Sequence, residues 1–134
     1  MASEYKQPGL VGSGRAPGER FLDVQRGISM LGSEQSLRMI LQTVNGSMMH
    51  DIPEISRLLE AGEVSTANRL LHAIKGYVPV FCSDALIEQV IQTERLSKTA
   101  KAAEVVPAYV ALSPKLQSLL TEVQLYLDSA PRSA

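Results

Sequence analysis

A histidine followed three and four residues later by a lysine and a glycine is the feature of this chain that most suggests chemistry. His72, Lys75 and Gly76 lie in the segment NRLLHAIKGYVP, residues 68–79. At about 100° per residue in an α-helix they share one face, and most apolar residues of the segment take the opposite face. One ring nitrogen of a neutral imidazole has a lone pair and can act as a nucleophile. The neighbouring ammonium group would favour an anionic group on that nitrogen.

Gly76 adds a second indication, because glycine inside a helix costs about 1 kcal/mol relative to alanine. A helix selected for stability alone would place another residue there, so the glycine predicts that a partner approaches closely. No general base, oxyanion hole or metal set accompanies His72 in the sequence. We therefore expect a docking surface with one reactive nitrogen and not an enzyme. A solvated surface histidine without a chemical role is the alternative.

Other residues with chemical potential are isolated in the sequence. His50 has no second ligand at metal spacing and is interpreted as a surface or helix-packing residue. Cys82 is the single cysteine, and we expect it to be a small buried residue, with a thiol nucleophile as the less favoured alternative. The segment GLVGSG lacks the strand, lysine and helix of a phosphate-binding loop. We predict no metal site and no cofactor on this chain.

Composition excludes several classes of partner. The chain has 134 residues, 45% of them apolar, with 13 basic and 14 acidic side chains and a formal charge of -1. This balance lacks the cationic surface that nucleic acid or an anionic membrane requires. No apolar run approaches the roughly 20 residues of a spanning helix, and the first residues lack the apolar core of a signal peptide. We expect one cytoplasmic domain.

Apolar residues recur at intervals of three and four from Phe21 onward, which predicts helices. Residues 1–20 are rich in Gly, Pro and Ser and are predicted to be a flexible N-terminal tail, with residues 129–134 as a C-terminal tail. Phe21, Val24 and Ile28 would form a short opening helix, kept short by Gly27 and Gly32.

Four longer helices follow in residues 21–128, and their apolar stripes predict an all-α fold, an antiparallel four-helix bundle with a short extra N-terminal helix. The first predicted long helix runs from an N-cap at Ser33 to Ala61-Gly62, with a kink or division at Pro53, and the second runs from near Ser65 to a stop or bend at Pro79. The third runs from about Ser83 to Lys98, with Ser83 or Asp84 as its cap. The fourth runs from about Val105 to Leu127, with a new start or a kink at Ser113-Pro114.

The residues His72-Ala73-Ile74-Lys75-Gly76 resemble the H-x-x-K-G core of histidine-containing phosphotransfer (HPt) domains, the phosphocarriers of multistep two-component phosphorelays. The approach LLEAGEVSTANRLLHAIKG, the upstream segment FLDVQRGISMLGSEQSLRMIL and the apolar Leu86 are also similar to the family. The resemblance covers about residues 21–127. Tyr77 stands where the family usually has a small residue, and Pro79 and Cys82 stand where glycine is common.

The resemblance implies that His72 accepts a phosphoryl group from an aspartyl phosphate of a receiver domain and passes it to another receiver aspartate. Lys75 would steady the phosphoryl oxygens, and Gly76 would leave room for the receiver. Further contacts with the receiver are expected from Asn68, Arg69 and Pro79, with an ordinary solvated role as the alternative for Asn68 and Arg69.

The implied partners are response-regulator receiver domains and a hybrid histidine kinase, with no nucleic acid and no membrane. The receiver would supply Mg²⁺, because no carboxylate cluster is evident near His72. We expect a monomeric phosphocarrier without a catalytic site of its own. The alternative function is an unphosphorylated helical adaptor that docks on a receiver or kinase and regulates it.

Overall fold

The computed structural model describes residues 20–131, and nearly all of them are helical. Five helices follow one another in this part of the chain: α1 Val24–Leu31, α2 Glu34–Glu60, α3 Val64–Phe81, α4 Asp84–Thr99 and α5 Ala102–Asp128. No strand occurs between residues 20 and 131, where a single β-bridge joins Leu22 to Cys82. The all-α prediction is therefore confirmed. Most of the predicted tails, residues 1–19 and 132–134, lie outside the described residues.

The helix ends follow ordinary capping chemistry. The Ser33 hydroxyl accepts a hydrogen bond from the Ser36 amide at 3.0 Å, and the Ser83 hydroxyl accepts one from the Leu86 amide at 3.5 Å. Both residues satisfy a donor that the first helical turn leaves unpaired, so both predicted N-caps are confirmed. After α2, Gly62 has a φ of 78°, a left-handed conformation that favours glycine.

The helices continue through their prolines. Pro53 lies within α2 and Pro114 within α5, so neither helix is divided. For Pro79 the prediction left open an end or a bend of α3, and the end is excluded because α3 continues to Phe81. These prolines occupy exposed or half-buried positions, where water can reach the carbonyl that loses its N–H partner.

One apolar core runs through the four long helices. Its members recur every three or four residues, as the sequence pattern predicts. They are Leu37, Leu41, Val44, Met48, Ile52, Ile55, Leu58 and Leu59 of α2, Ala67, Leu71, Ile74, Val78 and Phe81 of α3, Leu86 and Val90 of α4, and Val105, Tyr109, Leu112, Leu116, Leu119, Leu120 and Val123 of α5, together with Phe21 and Cys82. The buried side of α4 continues with polar residues, namely Thr93, Glu94 and Ser97. Buried polar groups require partners. The Thr93 hydroxyl donates to the Gln89 carbonyl of α4 at 2.8 Å, and α3 provides partners for Glu94 and Ser97.

Each long helix packs against two others, since α2 contacts α3 and α5, and α4 contacts α3 and α5. Near the start of α2, the Arg38 guanidinium donates to the Tyr126 carbonyl at the end of α5, at 3.3 Å. Towards the end of α2, the Ile52 carbonyl accepts from the Tyr109 hydroxyl at 2.8 Å. α2 and α5 therefore run in opposite directions.

The residues before α1 are fixed by distant parts of the chain. The amides of Phe21 and Leu22 donate to the Glu122 carboxylate of α5 at 3.1 and 3.0 Å. The Asp23 amide donates to the Phe81 carbonyl at 2.7 Å. Phe21 is buried but precedes α1, so its predicted place in the opening helix is wrong.

Gly27 does not shorten the opening helix, in contrast to the prediction. It lies within α1, and the helix ends at Gly32, which has a φ of 94°. A Cβ at position 27 would lie 2.6 Å from Cδ1 of Leu37. A Cβ at position 27 would require the buried Leu37 side chain to move, so glycine allows the close packing of α1 on α2.

Candidate functional site

The packing of α3 places His72 in solvent. The buried residues of α3 recur at positions 67, 71, 74, 78 and 81 and face the core. The imidazole of His72 lies on the other side, with 65% of its side chain exposed. His72 therefore points outward, as helical spacing predicts, and one side of its ring is open to a partner.

A buried carboxylate lies beneath the imidazole. The Glu94 side chain, on the neighbouring α4, is 1% exposed, and its Oε2 lies 3.4 Å from Nδ1 of His72. The ammonium of Lys75 contacts the other carboxylate oxygen at 3.2 Å, and the ammonium of Lys98 lies 3.7 Å from Oε2. His72, Lys75, Glu94 and Lys98 therefore form one cluster, called the His72 cluster below.

Asn68 fixes Glu94 from the side of α3. Its amide nitrogen donates to Oε2 of Glu94 at 3.1 Å, to the Glu94 carbonyl at 3.2 Å and to the Ser97 hydroxyl at 2.8 Å. The Ser97 hydroxyl in turn donates to the Glu94 carbonyl at 2.7 Å. The amide of Asn68 thus links α3 to α4, a role that the sequence analysis did not predict. Its predicted contact with a receiver stays a prediction.

Glu94 remains ionised in this environment. Burial would raise the pKa of the carboxyl, but hydrogen bonds from Asn68 and Lys75 and the charges of Lys75 and Lys98 act in the opposite direction and prevail, so its pKa is lowered. One carboxylate then faces two ammonium groups. With a neutral imidazole the His72 cluster carries a net positive charge, which suits an anionic group arriving from solvent.

The position of Glu94 also distinguishes the two ring nitrogens of His72. A carboxylate beside Nδ1 favours the tautomer that carries its proton there. The lone pair then belongs to Nε2, on the solvent side of the ring. Such an imidazole can attack an electrophile through Nε2 and hold the resulting positive charge against Glu94.

The other predicted site residues lie along the same helix. Gly76 is exposed, and a Cβ built on it meets no atom within 4 Å. Arg69 is exposed and Pro79 is half-buried. The fold does not require glycine at position 76, and its surroundings leave room for a partner surface next to the imidazole.

His50 provides an internal contrast to His72. Its ring is also exposed, and its Nδ1 lies 2.9 Å from Oδ1 of Asp51. The hydrogen bond with Asp51 raises the pKa of His50, with a smaller contribution from the charge of Glu54. The charged groups that act on His50 are thus carboxylates, which would repel an anion, whereas two lysines surround the carboxylate beside His72.

Cys82 is buried, as predicted, and forms the C-cap of α3. Burial raises the pKa of its thiol, so the thiolate that nucleophilic chemistry requires is disfavoured. In residues 20–131 no three His, Cys, Asp or Glu side chains are close enough to hold a metal ion. No helix in that part of the chain combines the length and hydropathy needed to cross a membrane.

Glu94 is the residue that sequence reasoning missed. The signal for it was present, because Glu94 and Ser97 continue the inward spacing of Leu86 and Val90 on α4. A carboxylate on the buried side of an amphipathic helix needs a cation or donor, and Lys75 and Asn68 lie on the neighbouring helix.

No protein-family model, curated protein or solved structure matches this chain. The resemblance to HPt domains therefore stays a prediction from the sequence. Any function assigned to the chain must follow from the chemistry of the His72 cluster and from the surface around it.

Proposed function

We propose that this chain is a phosphocarrier of the HPt type, in which His72 takes a phosphoryl group from one receiver domain and delivers it to another. The long helices α2 to α5 would form an antiparallel four-helix bundle, with α1 as the extra helix. One observation carries the proposal: an exposed imidazole has a buried carboxylate at Nδ1 and two ammonium groups next to that carboxylate.

In the proposed reaction, the lone pair of Nε2 attacks the phosphorus atom of an aspartyl phosphate. The N–P bond forms while the P–O bond to the aspartate breaks, and the aspartate leaves as a carboxylate with the electron pair. The proton on Nδ1 stays on the ring, so the imidazole ring of the phosphohistidine carries a positive charge that Glu94 stabilises. Attack by a second receiver aspartate on the same phosphorus reverses these steps and regenerates neutral His72.

The lysines have separate tasks in this scheme. An ammonium has three N–H donors, and Lys75 uses one of them for Glu94. Its other donors can bind the phosphoryl oxygens, whose charge is about −1.5 to −2 near neutral pH. Lys98 is more exposed and adds a weaker long-range attraction.

The receiver would supply the metal ion of the transfer reaction. It would bring Mg²⁺ and most of the transition-state stabilisation, so the chain carries the group without catalysing its transfer alone. The surface of this chain on which the receiver docks would include Arg69, Gly76 and Pro79, with Asn68 at its edge. A hybrid histidine kinase would be the source of the phosphoryl group.

Transfer is tested by incubating the purified chain with a phosphorylated receiver and Mg²⁺ and recording the intact mass at neutral or mildly basic pH, where phosphohistidine survives. We expect a gain of one phosphoryl group in the wild type. His72→Gln should abolish the gain, because the amide keeps polarity and loses the nucleophile. His50→Gln is the matched control and should accept phosphate like the wild type.

A gain that persists in His72→Gln would overturn the assignment of the site. No gain with several receivers, together with measurable binding to them, would favour the adaptor that docks without carrying phosphate.

A further inference from the structure

Outside the His72 cluster, the molecule has a second surface of unusual composition on α2 and α5. Two stretches form it, residues 35–53 of α2 and residues 107–125 of α5, and no exposed residue in either stretch is Asp, Glu, Lys or Arg. Four of its apolar side chains are more than half exposed: Met39 at 63%, Met49 at 55%, Val110 at 63% and Leu125 at 66%. This surface is called the α2–α5 face below.

The Asp, Glu, Lys and Arg side chains of these stretches are half-buried and make contacts within the monomer. Arg38 donates to carbonyl groups at the end of α5, and Asp51 pairs with His50. Lys115 donates to Gln89 of α4, and Glu122 accepts the amides of Phe21 and Leu22. The absence of exposed Asp, Glu, Lys and Arg therefore results from the contacts that these side chains make within the monomer.

The two stretches form one continuous surface. α2 and α5 pack against each other in opposite directions, with contacts near both ends of the face. Each stretch spans about 27 Å at the helical rise per residue, and two adjacent helices are about 20 Å wide. The face thus measures roughly 500 Å², so pairing two copies would bury about 1,000 Å², the size at which specific interfaces begin.

The chemistry of the face identifies its partner. A charged protein, a nucleic acid or an anionic membrane would find no counter-charge on it. A second copy related by a two-fold axis presents the same surface, on which His50 is the one exposed titratable side chain, so no Asp, Glu, Lys or Arg meets its like. Gly46 lies at the centre of the α2 stretch, and a Cβ there meets no atom within 4 Å. Two α2 helices can therefore approach closely at that point.

We propose that the α2–α5 face is the self-complementary interface of a homodimer. This replaces the monomer expected from the sequence. The proposal does not depend on the chemistry of His72, which lies on α3 next to α4, so both imidazoles stay open in the dimer. The dimer would present two docking sites on outward surfaces.

Sedimentation equilibrium of the full chain tests the interface, at chain concentrations from about 1 to about 300 µM, a range that detects micromolar association. The chain mass is 14.5 kDa, and the expected dimer has twice that mass. Met49→Glu places a charge in the interface of both copies and should return the mass to that of a monomer. Met30→Glu is the matched control, since Met30 is 60% exposed on α1, and it should behave like the wild type.

Circular dichroism confirms that each variant is folded, and Gln117→Glu on α5 provides a second test if Met49→Glu unfolds. A wild-type chain that stays monomeric over the whole concentration range overturns the proposal. So does a folded Met49→Glu or Gln117→Glu variant that dimerises as strongly as the wild type.

Discussion

Two sides of this molecule each have a glycine at an exposed position inside a helix, and their chemistry differs. Gly76 lies beside the His72 cluster, which contains one carboxylate and two ammonium groups. Gly46 lies in the α2–α5 face, which has no exposed Asp, Glu, Lys or Arg. A Cβ at either position would meet no atom within 4 Å. Gly27 is different, because a Cβ there would collide with Leu37. The reason for an exposed glycine must therefore be sought outside the monomer, and the surrounding charge indicates what approaches.

The largest effect on stability is expected from Glu94, which joins α3 and α4 on the charged side. Glu94→Ala removes one of the acceptors of Asn68 and the acceptor of Lys75 and leaves a cavity. It should lower the free energy of unfolding by about 2–3 kcal/mol. Glu94→Gln keeps an acceptor and the volume and should cost about 1 kcal/mol. Urea unfolding measures both.

Glu88→Ala is the control on the same helix, because Glu88 is exposed and should change stability by less than about 0.5 kcal/mol. Equal losses for Glu94→Ala and Glu88→Ala would contradict the structural role of the His72 cluster.

The same carboxylate predicts a dependence of stability on pH. The pKa of Glu94 is lowered from its ordinary value of 4.5 by folding. Its stabilising contribution is therefore complete above that ordinary value and is lost as pH falls through the lower folded value. Wild type should lose more unfolding free energy than Glu94→Gln when the pH drops from 7 to 3. Parallel losses in the two proteins would show that Glu94 does not titrate as proposed.

A smaller effect is expected from the lysines, and it concerns transfer more than folding. Lys75→Ala should slow phosphoryl transfer from a receiver about tenfold, because one donor to the phosphoryl oxygens is lost. Lys98→Ala should have a weaker effect, since its ammonium is farther from Glu94 and more exposed. Single-turnover transfer followed by intact mass measures both rates.

Gln42→Ala, on the α2–α5 face, is the control for these rates and should leave transfer unchanged. A Lys75→Ala variant with the wild-type rate would remove Lys75 from the proposed mechanism.

The smallest effects come from the two exposed glycines, and they sharpen the comparison most directly. Gly76→Ala and Gly46→Ala should each stabilise the monomer by up to about 1 kcal/mol, because alanine is the better helix former. Gly76→Ala should slow phosphoryl transfer and leave dimerisation intact. Gly46→Ala should weaken dimerisation and leave phosphoryl transfer intact. Thermal unfolding, transfer and sedimentation measured on both variants decide the matter. An exchange of these effects would show that the two surfaces are assigned wrongly.

The helices and the outward position of His72 could be predicted from the sequence because both follow from local spacing. Ser33 and Ser83 cap their helices as expected, and the apolar stripe of α3 places His72 opposite the core. Local spacing failed at Phe21, whose position depends on Glu122 of α5, and at Gly27, whose reason is a contact with another helix.

The chemistry of the site was harder to predict than its location. Glu94 is 22 positions beyond His72 in the sequence, and its contact with Nδ1 depends on how α4 packs on α3. Its inward spacing could have been noticed, but the partner could not be chosen from spacing alone. The absence of exposed Asp, Glu, Lys and Arg from the α2–α5 face has the same limitation. The Lys115 and Glu122 side chains are engaged by α4 and by Leu22, in contacts that a single helix does not specify.

The hydrogen bonds from the amides of Phe21 and Leu22 to Glu122 also have a consequence for the order of folding. Phe21 and Glu122 are 101 residues apart, so closing that loop is entropically costly and cannot precede the docking of α5. Helix pairs that are adjacent in the sequence can form earlier. We therefore expect Phe21 and Leu22 to bind Glu122 in the last step of folding and to separate from it in the first step of unfolding. Hydrogen exchange at these two amides then reports an opening that precedes the departure of α5 from the core.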